Sequence, residues 1–135
     1  MPILNVKVAA PRSPGLSRDI ANLLSTLTER ILRKDPALTA IAIDFTDPQD
    51  WYVGGRSLAE LGQSSVYFDI RVTDETNSKD EKARYIAEAY AGLRGLLGAL
   101  HEESYIHVID ARAGAYGYGG LTQERRYQRA RGTDA

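Results

Sequence analysis

Residues 66–72 read VYFDIRV, and residues 2–8 read PILNVKV. Val66, Phe68, Ile70 and Val72 alternate with Tyr67, Asp69 and Arg71; Leu4, Val6 and Val8 alternate with Asn5 and Lys7. A period of two with one apolar side is a strand lying half-buried against a core. Outward from each strand the chain repeats its plan. A stretch with helical spacing follows, then a second alternating strand (TAIAIDF at 39–45, SYIHVID at 104–110), then an aromatic segment ending in Gly-Gly (WYVGG at 51–55, YGYGG at 116–120). Asn5 and Asp69 are 64 positions apart, and Gly54 and Gly119 are 65 apart. Four elements in one order at one spacing are an internal repeat.

The helical stretches follow three- and four-residue steps. In the first half Leu16, Ile20, Leu23, Leu24, Leu27 and Ile31 form the apolar stripe, Ser13 or Ser17 is positioned to cap it, and Pro36 follows its end. In the second half Ser78 to Glu81 is a capping box, and Ile86, Tyr90, Leu93, Leu97 and Leu100 form the expected stripe. Gly92, Gly95 and Gly98 each weaken that helix by about 1 kcal/mol relative to Ala, which suggests close packing against the sheet.

A strand–helix–strand unit joins parallel strands by a right-handed crossover. Two units predict an α+β fold: tandem β-α-β repeats forming a four-stranded mixed sheet with two helices on one face. The repeats span about residues 2–60 and 65–122 of a single domain covering 1–122, followed by a basic tail at 123–135. That tail is expected to be a frayed end or an arm over a neighbour. The second face of the sheet would carry Asn5, Lys7, Ala42, Tyr67, Arg71, His107 and Ile109, a mixed surface that oligomerisation could cover.

Composition narrows the function. Without cysteine there is no disulfide, no thiolate metal site and no Cys nucleophile. The net charge of −1 argues against a general nucleic-acid binder. MPILNVKVAA lacks the basic-then-apolar order of a signal peptide, and no apolar run approaches a membrane span, so a cytoplasmic protein is expected. The Gly-Gly pairs suit positive φ in turns and are followed by no phosphate-loop pattern.

The order Met-Pro-Ile, strand, Arg12-Ser13, helix, strand 39–46 and the turn Trp51-Tyr52-Val53-Gly54-Gly55 resembles 4-oxalocrotonate tautomerase. The second half repeats the pattern without the proline. Over about residues 2–122 the chain therefore resembles the fused members of the tautomerase superfamily, which include cis-3-chloroacrylic acid dehalogenase, malonate semialdehyde decarboxylase and macrophage migration inhibitory factor. The resemblance implies removal of Met1, a catalytic prolyl nitrogen at Pro2, a small carboxylic acid substrate, no cofactor or metal, and a homotrimer. It also implies substrate-binding roles for Arg12, for Trp51 as an aromatic wall, for its second-half counterpart Tyr116 with Tyr118, and for His107.

Chemistry supports the choice of Pro2. A free α-amine has a pKa near 8, and a general base works best with a pKa near the operating pH. Desolvation and a nearby cation each lower it further. Arg12 lies beyond the far end of a strand roughly 20 Å long at about 3.3 Å per residue, so it would serve the Pro2 of a neighbouring subunit. The chain departs from the resemblance in one respect. Where the dehalogenase and the decarboxylase carry substrate-binding arginines after the third strand, residues 73–77 read TDETN. Arg56 and Arg112 are alternatives for the missing cation. Ala115 stands where the dehalogenase needs a water-activating carboxylate, which disfavours hydrolytic dehalogenation.

Overall fold

The computed structural model describes residues 2–132. Four strands form the main sheet: β1 (Ile3–Ala9), β2 (Ala40–Thr46), β5 (Ser65–Thr73) and β6 (Tyr105–Ala111). Two two-residue hairpins stand apart from it, β3 (Tyr52–Val53) with β4 (Arg56–Ser57), and β7 (Gly117–Tyr118) with β8 (Leu121–Thr122). The long helices are α1 (Leu16–Arg30) and α3 (Lys79–Leu97); α2 (Leu58–Leu61) and α4 (Gln123–Ala130) follow the hairpins.

The sheet order is β2-β1-β5-β6. β1 and β2 are parallel, β5 and β6 are parallel, and the two halves meet antiparallel through β1 and β5. This is the mixed four-stranded sheet that the tandem repeat predicts. Leu4, Val6, Val8, Val66, Phe68, Ile70 and Val72 are fully buried against Ile20 and Leu24 of α1 and Tyr85, Ala89 and Leu93 of α3. Asn5, Lys7, Ala42, Tyr67, Arg71 and His107 on the opposite face are exposed. Burying the six to eight large apolar side chains of each layer, at roughly 1.5–3 kcal/mol apiece, is what opposes the entropy of ordering the chain.

Three local expectations are corrected. The fully buried line of α3 is Tyr85, Ala89 and Leu93, with Tyr90 and Leu97 packed partly buried against the core as expected; Ile86 is exposed, and Leu100 is buried beyond the helix end. Tyr85 can take its interior place because its hydroxyl hydrogen-bonds the Thr28 Oγ1 at 2.9 Å. The α1 N-cap is Gly15 in the left-handed region (φ 79°), with no side-chain cap from Ser13 or Ser17. Gly92 packs against α1 rather than the sheet: a Cβ there would come within 2.8 Å of the Leu23 Cδ1.

The backbone carries the repeat as well as the sequence does. Gly54 and Gly55 have φ of 61° and 80°, and Gly119 and Gly120 have 62° and 85°. The halves diverge after those turns. The first hairpin leads into four residues of helix and the second into eight. Gln123–Ala130, expected as part of a frayed or overhanging tail, is a helix capped by the Thr122 hydroxyl, which accepts from the Arg125 N–H at 3.0 Å.

Candidate functional site

Parallel pairing of β1 with β2 and antiparallel pairing with β5 gather four chain segments at one end of the sheet. These are the start of β1 with Pro2, the 31–39 loop before β2, and the segments that follow β5 and β6. The Ala40 N–H donates to the Pro2 carbonyl at 3.2 Å. Pro2 is buried on the side of β1 that carries Leu4, Val6 and Val8. Extending the β1–β5 register by one step places it opposite Val72, next to Thr73. Met1 lies outside the described residues.

At this end lies a cavity of about 1050 Å³. Its walls are residues 73–76 after β5, 112–115 after β6, Lys34, and five residues of α4. Pro2 is not among the lining residues; Thr73 is the lining residue beside it. The composition of this wall follows from topology. A parallel crossover must return its helix to the starting end of the sheet, so the loop after α1 ends where β1 began.

Lys34 is held there by the way α1 stops. Arg33 takes the left-handed conformation at φ 60°. The Lys34 N–H donates to the Thr28 carbonyl at 3.3 Å and the Arg33 N–H to the Glu29 carbonyl at 3.0 Å. With Arg33 in the left-handed region, its N–H bond to Glu29 is the single bond of an αL helix stop, and the Lys34 bond to Thr28 adds to it. The Lys34 ammonium then donates to the Thr76 Oγ1 at 2.8 Å. Burial pulls its pKa below the ordinary lysine value and neighbouring Arg33 adds to this, while Glu81 and Asp110 oppose it. Among the described residues no carboxylate lies within ion-pairing distance of Lys34. Tyr116 sits at the same end, its hydroxyl 2.9 Å from the Thr73 Oγ1. Burial pushes that phenol up and the Thr73 hydrogen bond partly opposes the shift.

The other sequence candidates lie elsewhere in the chain. Arg12 is at the opposite sheet end, its guanidinium 4.6 Å from the centroid of the Phe45 ring, in a second cavity of about 820 Å³. Trp51 is half-buried and follows β2 at that same far end, where its carbonyl accepts from the Leu58 N–H at 2.9 Å. His107 is exposed on the open face of the edge strand β6, in register with Asp69, and does not line the cavity. Tyr118 lies in β7 under the Arg126 guanidinium, 3.8 Å from its ring centroid. Of the two alternative cations, Arg112 lines the cavity, whereas Arg56 pairs with Glu60 at 3.2 Å in the first hairpin.

Sequence reading missed Lys34 and the α4 wall. Lys34 carries no motif, but the parallel crossover was a usable signal: it assigns the 31–39 loop to the Pro2 end before any coordinate is known. A half-buried ammonium bonded to the Thr76 hydroxyl, with no carboxylate partner among the described residues, is equipped to hold a carboxylate and to polarise an adjoining carbonyl.

Comparisons with solved structures decide the fold. A wild-type fused 4-OT described as an asymmetric trimer superposes with a TM-score of 0.78 at 15% identity, covering 96% of this chain and 98% of that one. The chain has the fold of the fused tautomerases. A macrophage migration inhibitory factor-like protein from Entamoeba histolytica matches with a TM-score of 0.74 at 15% identity, over 90% of this chain and 97% of that one. A malonate semialdehyde decarboxylase inhibited by 3-bromopropiolate matches with a TM-score of 0.72 at 16% identity, over 94% and 96% of the two chains. No family model and no characterised protein sequence matches the chain. Among the described residues no helix is long and apolar enough to cross a membrane.

Proposed function

We propose that this tautomerase-fold chain is a cofactor-independent tautomerase or isomerase, in which the secondary amine of Pro2 is the general base toward an unsaturated 2-oxo or 2-hydroxy carboxylic acid. The observation that supports it is the gathering of Pro2 and Lys34 at one sheet end beside the cavity. Lys34 takes the role left open by the arginine-free TDETN segment and holds the substrate carboxylate. With Met1 removed, Pro2 is a secondary amine. Burial disfavours its protonated form, and the Lys34 cation held in the same region adds to the effect. Such an amine is unprotonated near neutrality and can take a proton from one carbon of a dienol or oxo acid and return it to another.

Arg12 and Trp51 belong to this reading only through assembly. They sit at the sheet end opposite their own Pro2, so a head-to-tail neighbour would bring them to it. A homotrimer is the assembly we propose, since fused 4-OT relatives are described as trimers. The exposed sheet face with Ile3, Tyr67 and Tyr105 is the surface available for it.

Intact mass, and assays of phenylenolpyruvate and 2-hydroxymuconate with a Pro2→Ala control, test the proposal. Loss of the Met1 mass and Pro2-dependent ketonisation are expected. Ketonisation that Pro2→Ala leaves unchanged would overturn the base. Product analysis separates tautomerisation from hydration, decarboxylation or dehalogenation by the same amine, and retention of Met1 would favour a non-catalytic trimeric module.

A further inference from the structure

We propose that α4 is the specificity element of this site, and that it selects a monocarboxylic substrate with a bulky uncharged tail over one with a second acid group. The inference rests on the Pro2 reading above and deepens it. The cavity, at about 1050 Å³, is as large as sites that enclose drug-sized ligands, whereas a three- or four-carbon acid fills only a small part of such a volume. Ala113, Gly114, Ala115 and Ala130 line the cavity, and so does Tyr127 of α4. None of the first four offers a side-chain donor to a second carboxylate.

Charge points the same way. Asp74, Glu75 and Glu124 all line the cavity, and among the described residues none of them is in an ion pair. Among the described residues the Glu124 side chain accepts from the Gln128 amide, at 2.8 Å. Asp74 and Glu75 precede the Thr76 that holds Lys34, so Glu124, on α4 itself, is the carboxylate that disfavours a second anion beside that helix. Of the cations that could answer these carboxylates, Arg126 is held against the hairpin, its Nη2 donating to the Tyr118 carbonyl at 2.8 Å while the guanidinium stacks on the Tyr118 ring; its buried Nε has no partner among the described residues. Arg112 is exposed.

The wall is fixed before any ligand arrives. The Gln123 N–H donates to the Tyr116 carbonyl at 3.0 Å and the Glu124 N–H to the Ala113 carbonyl at 2.9 Å, which binds the start of α4 to the 113–116 segment. Arg126 clamps the next turn, so tightly that a Cβ on Gly119 would lie 2.9 Å from its Nη2. A preformed wall lets apolar contact contribute to binding without an ordering cost.

The test is deuterium incorporation at C3 of 2-oxobutanoate, 2-oxooctanoate and 2-oxoadipate in heavy water, followed by proton NMR with the wild type, Ala130→Trp and Pro2→Ala. The wild type is expected to favour octanoate over adipate by about tenfold or more in kcat/KM, and Ala130→Trp to lower the octanoate-to-butanoate ratio by about tenfold. A preference for adipate, or an unchanged ratio in Ala130→Trp, overturns the assignment of α4. Exchange that Pro2→Ala leaves undiminished, or no exchange at all, instead defeats the base. Calorimetric binding of octanoate and adipate then judges α4 alone: tighter octanoate binding that Ala130→Trp abolishes supports it, and equal binding overturns it. Light scattering on Ala130→Trp adds a check. A changed oligomeric state without octanoate binding would mean that a neighbouring copy fills the groove, and would also overturn the proposal.

Discussion

Lys34 and Thr76, 42 positions apart, meet with the ammonium donating to the Thr76 Oγ1 at 2.8 Å, and among the described residues this neutral hydroxyl is the side-chain partner of the half-buried cation. A charge-assisted bond to a carboxylate contributes about 1.5–3 kcal/mol, so Lys34→Gln should raise KM for the acid substrate by roughly 10- to 150-fold with a smaller effect on kcat. The pH dependence has a definite sign. Because its pKa is lowered in the folded chain, Lys34 loses its proton at a lower pH than an exposed lysine, and substrate affinity falls as pH rises through that value. Stability runs the other way: the unfolded chain holds the proton more tightly, so folding becomes more favourable as pH rises through the same window. KM against pH for wild type and Lys34→Gln checks both the contact and the sign.

Pro2 carries the second prediction. General base catalysis contributes about 10²- to 10⁴-fold. Pro2→Ala keeps a terminal amine but loses the secondary amine and the ring, so a drop toward the lower part of that range is expected. Chemical acylation of the terminal amine should abolish turnover altogether. Wild-type kcat/KM should also show one ionisation below the pKa near 8 of a free α-amine, reflecting burial and the Lys34 cation. A rate independent of pH from about 5 to 8 would remove Pro2 from the mechanism.

How far these residues could be read without coordinates differs from one to the next. The alternation in 2–8 and 66–72 and the two Gly-Gly turns were legible because strand pleating and positive φ leave marks in residue type. Pro2 was legible by resemblance. Lys34 was not, because a lysine after a helix is common and its meaning comes only from where the crossover delivers it. The tail from Gln123 was misread because α4 has no apolar stripe: Gln123 is its one buried residue, and the helix is held by the Thr122 cap and by hydrogen bonds to the 113–116 segment. In α3 the expected Leu93, Tyr90 and Leu97 do pack on the core, but Tyr85 takes the interior place expected of Ile86, because the Thr28 hydroxyl on the other helix satisfies its buried polar atom.

Assembly gives a prediction on the open face. Lys7, Tyr67 and Tyr105 lie in one row across β1, β5 and β6, and Tyr67 and Tyr105 are 38% and 57% exposed. If this face is covered by neighbouring copies, a carboxylate at Tyr67 would be taken out of water beside Asp69, and even with Lys7 opposite it the desolvation would cost several kcal/mol per subunit. Size-exclusion chromatography with light scattering should give three chains per particle for the wild type and one for Tyr67→Glu. A wild-type monomer would separate Arg12 and Trp51 from any Pro2 and confine the site to the residues of one chain.

Gly117 tests the seat of α4. A Cβ there would lie 1.9 Å from the Leu121 carbonyl oxygen, so Gly117→Ala must open the β7–β8 hairpin. Overpacking of this kind costs about 1–3 kcal/mol, and here it displaces Thr122, the cap of α4. A lower thermal midpoint together with a raised KM is expected. Gly114→Ala, where a Cβ meets open space, should leave the midpoint unchanged.

Glu81 links acid stability to the same end of the fold. Its Oε1 accepts from the Ser78 N–H at 2.8 Å, and its two oxygens accept from the Arg33 Nε at 2.9 Å and Nη2 at 3.1 Å. It thereby joins the start of α3 to the residue that precedes Lys34. The Arg33 bond first and the Ser78 bond second hold its carboxyl down at about 2. A depressed carboxyl pKa stabilises the fold above the ordinary value of 4.5, and that contribution is lost as pH falls toward about 2. Glu81→Gln keeps the shape and cannot ionise. Its thermal midpoint should lie below the wild type at neutral pH, with the gap closing as the wild-type carboxyl takes up its proton. The variant should also bind the acid substrate more weakly at neutral pH, because the loop that carries Lys34 loses its tie to α3. A gap that stays constant down to pH of about 2 would mean that the Glu81 charge contributes nothing to holding that loop.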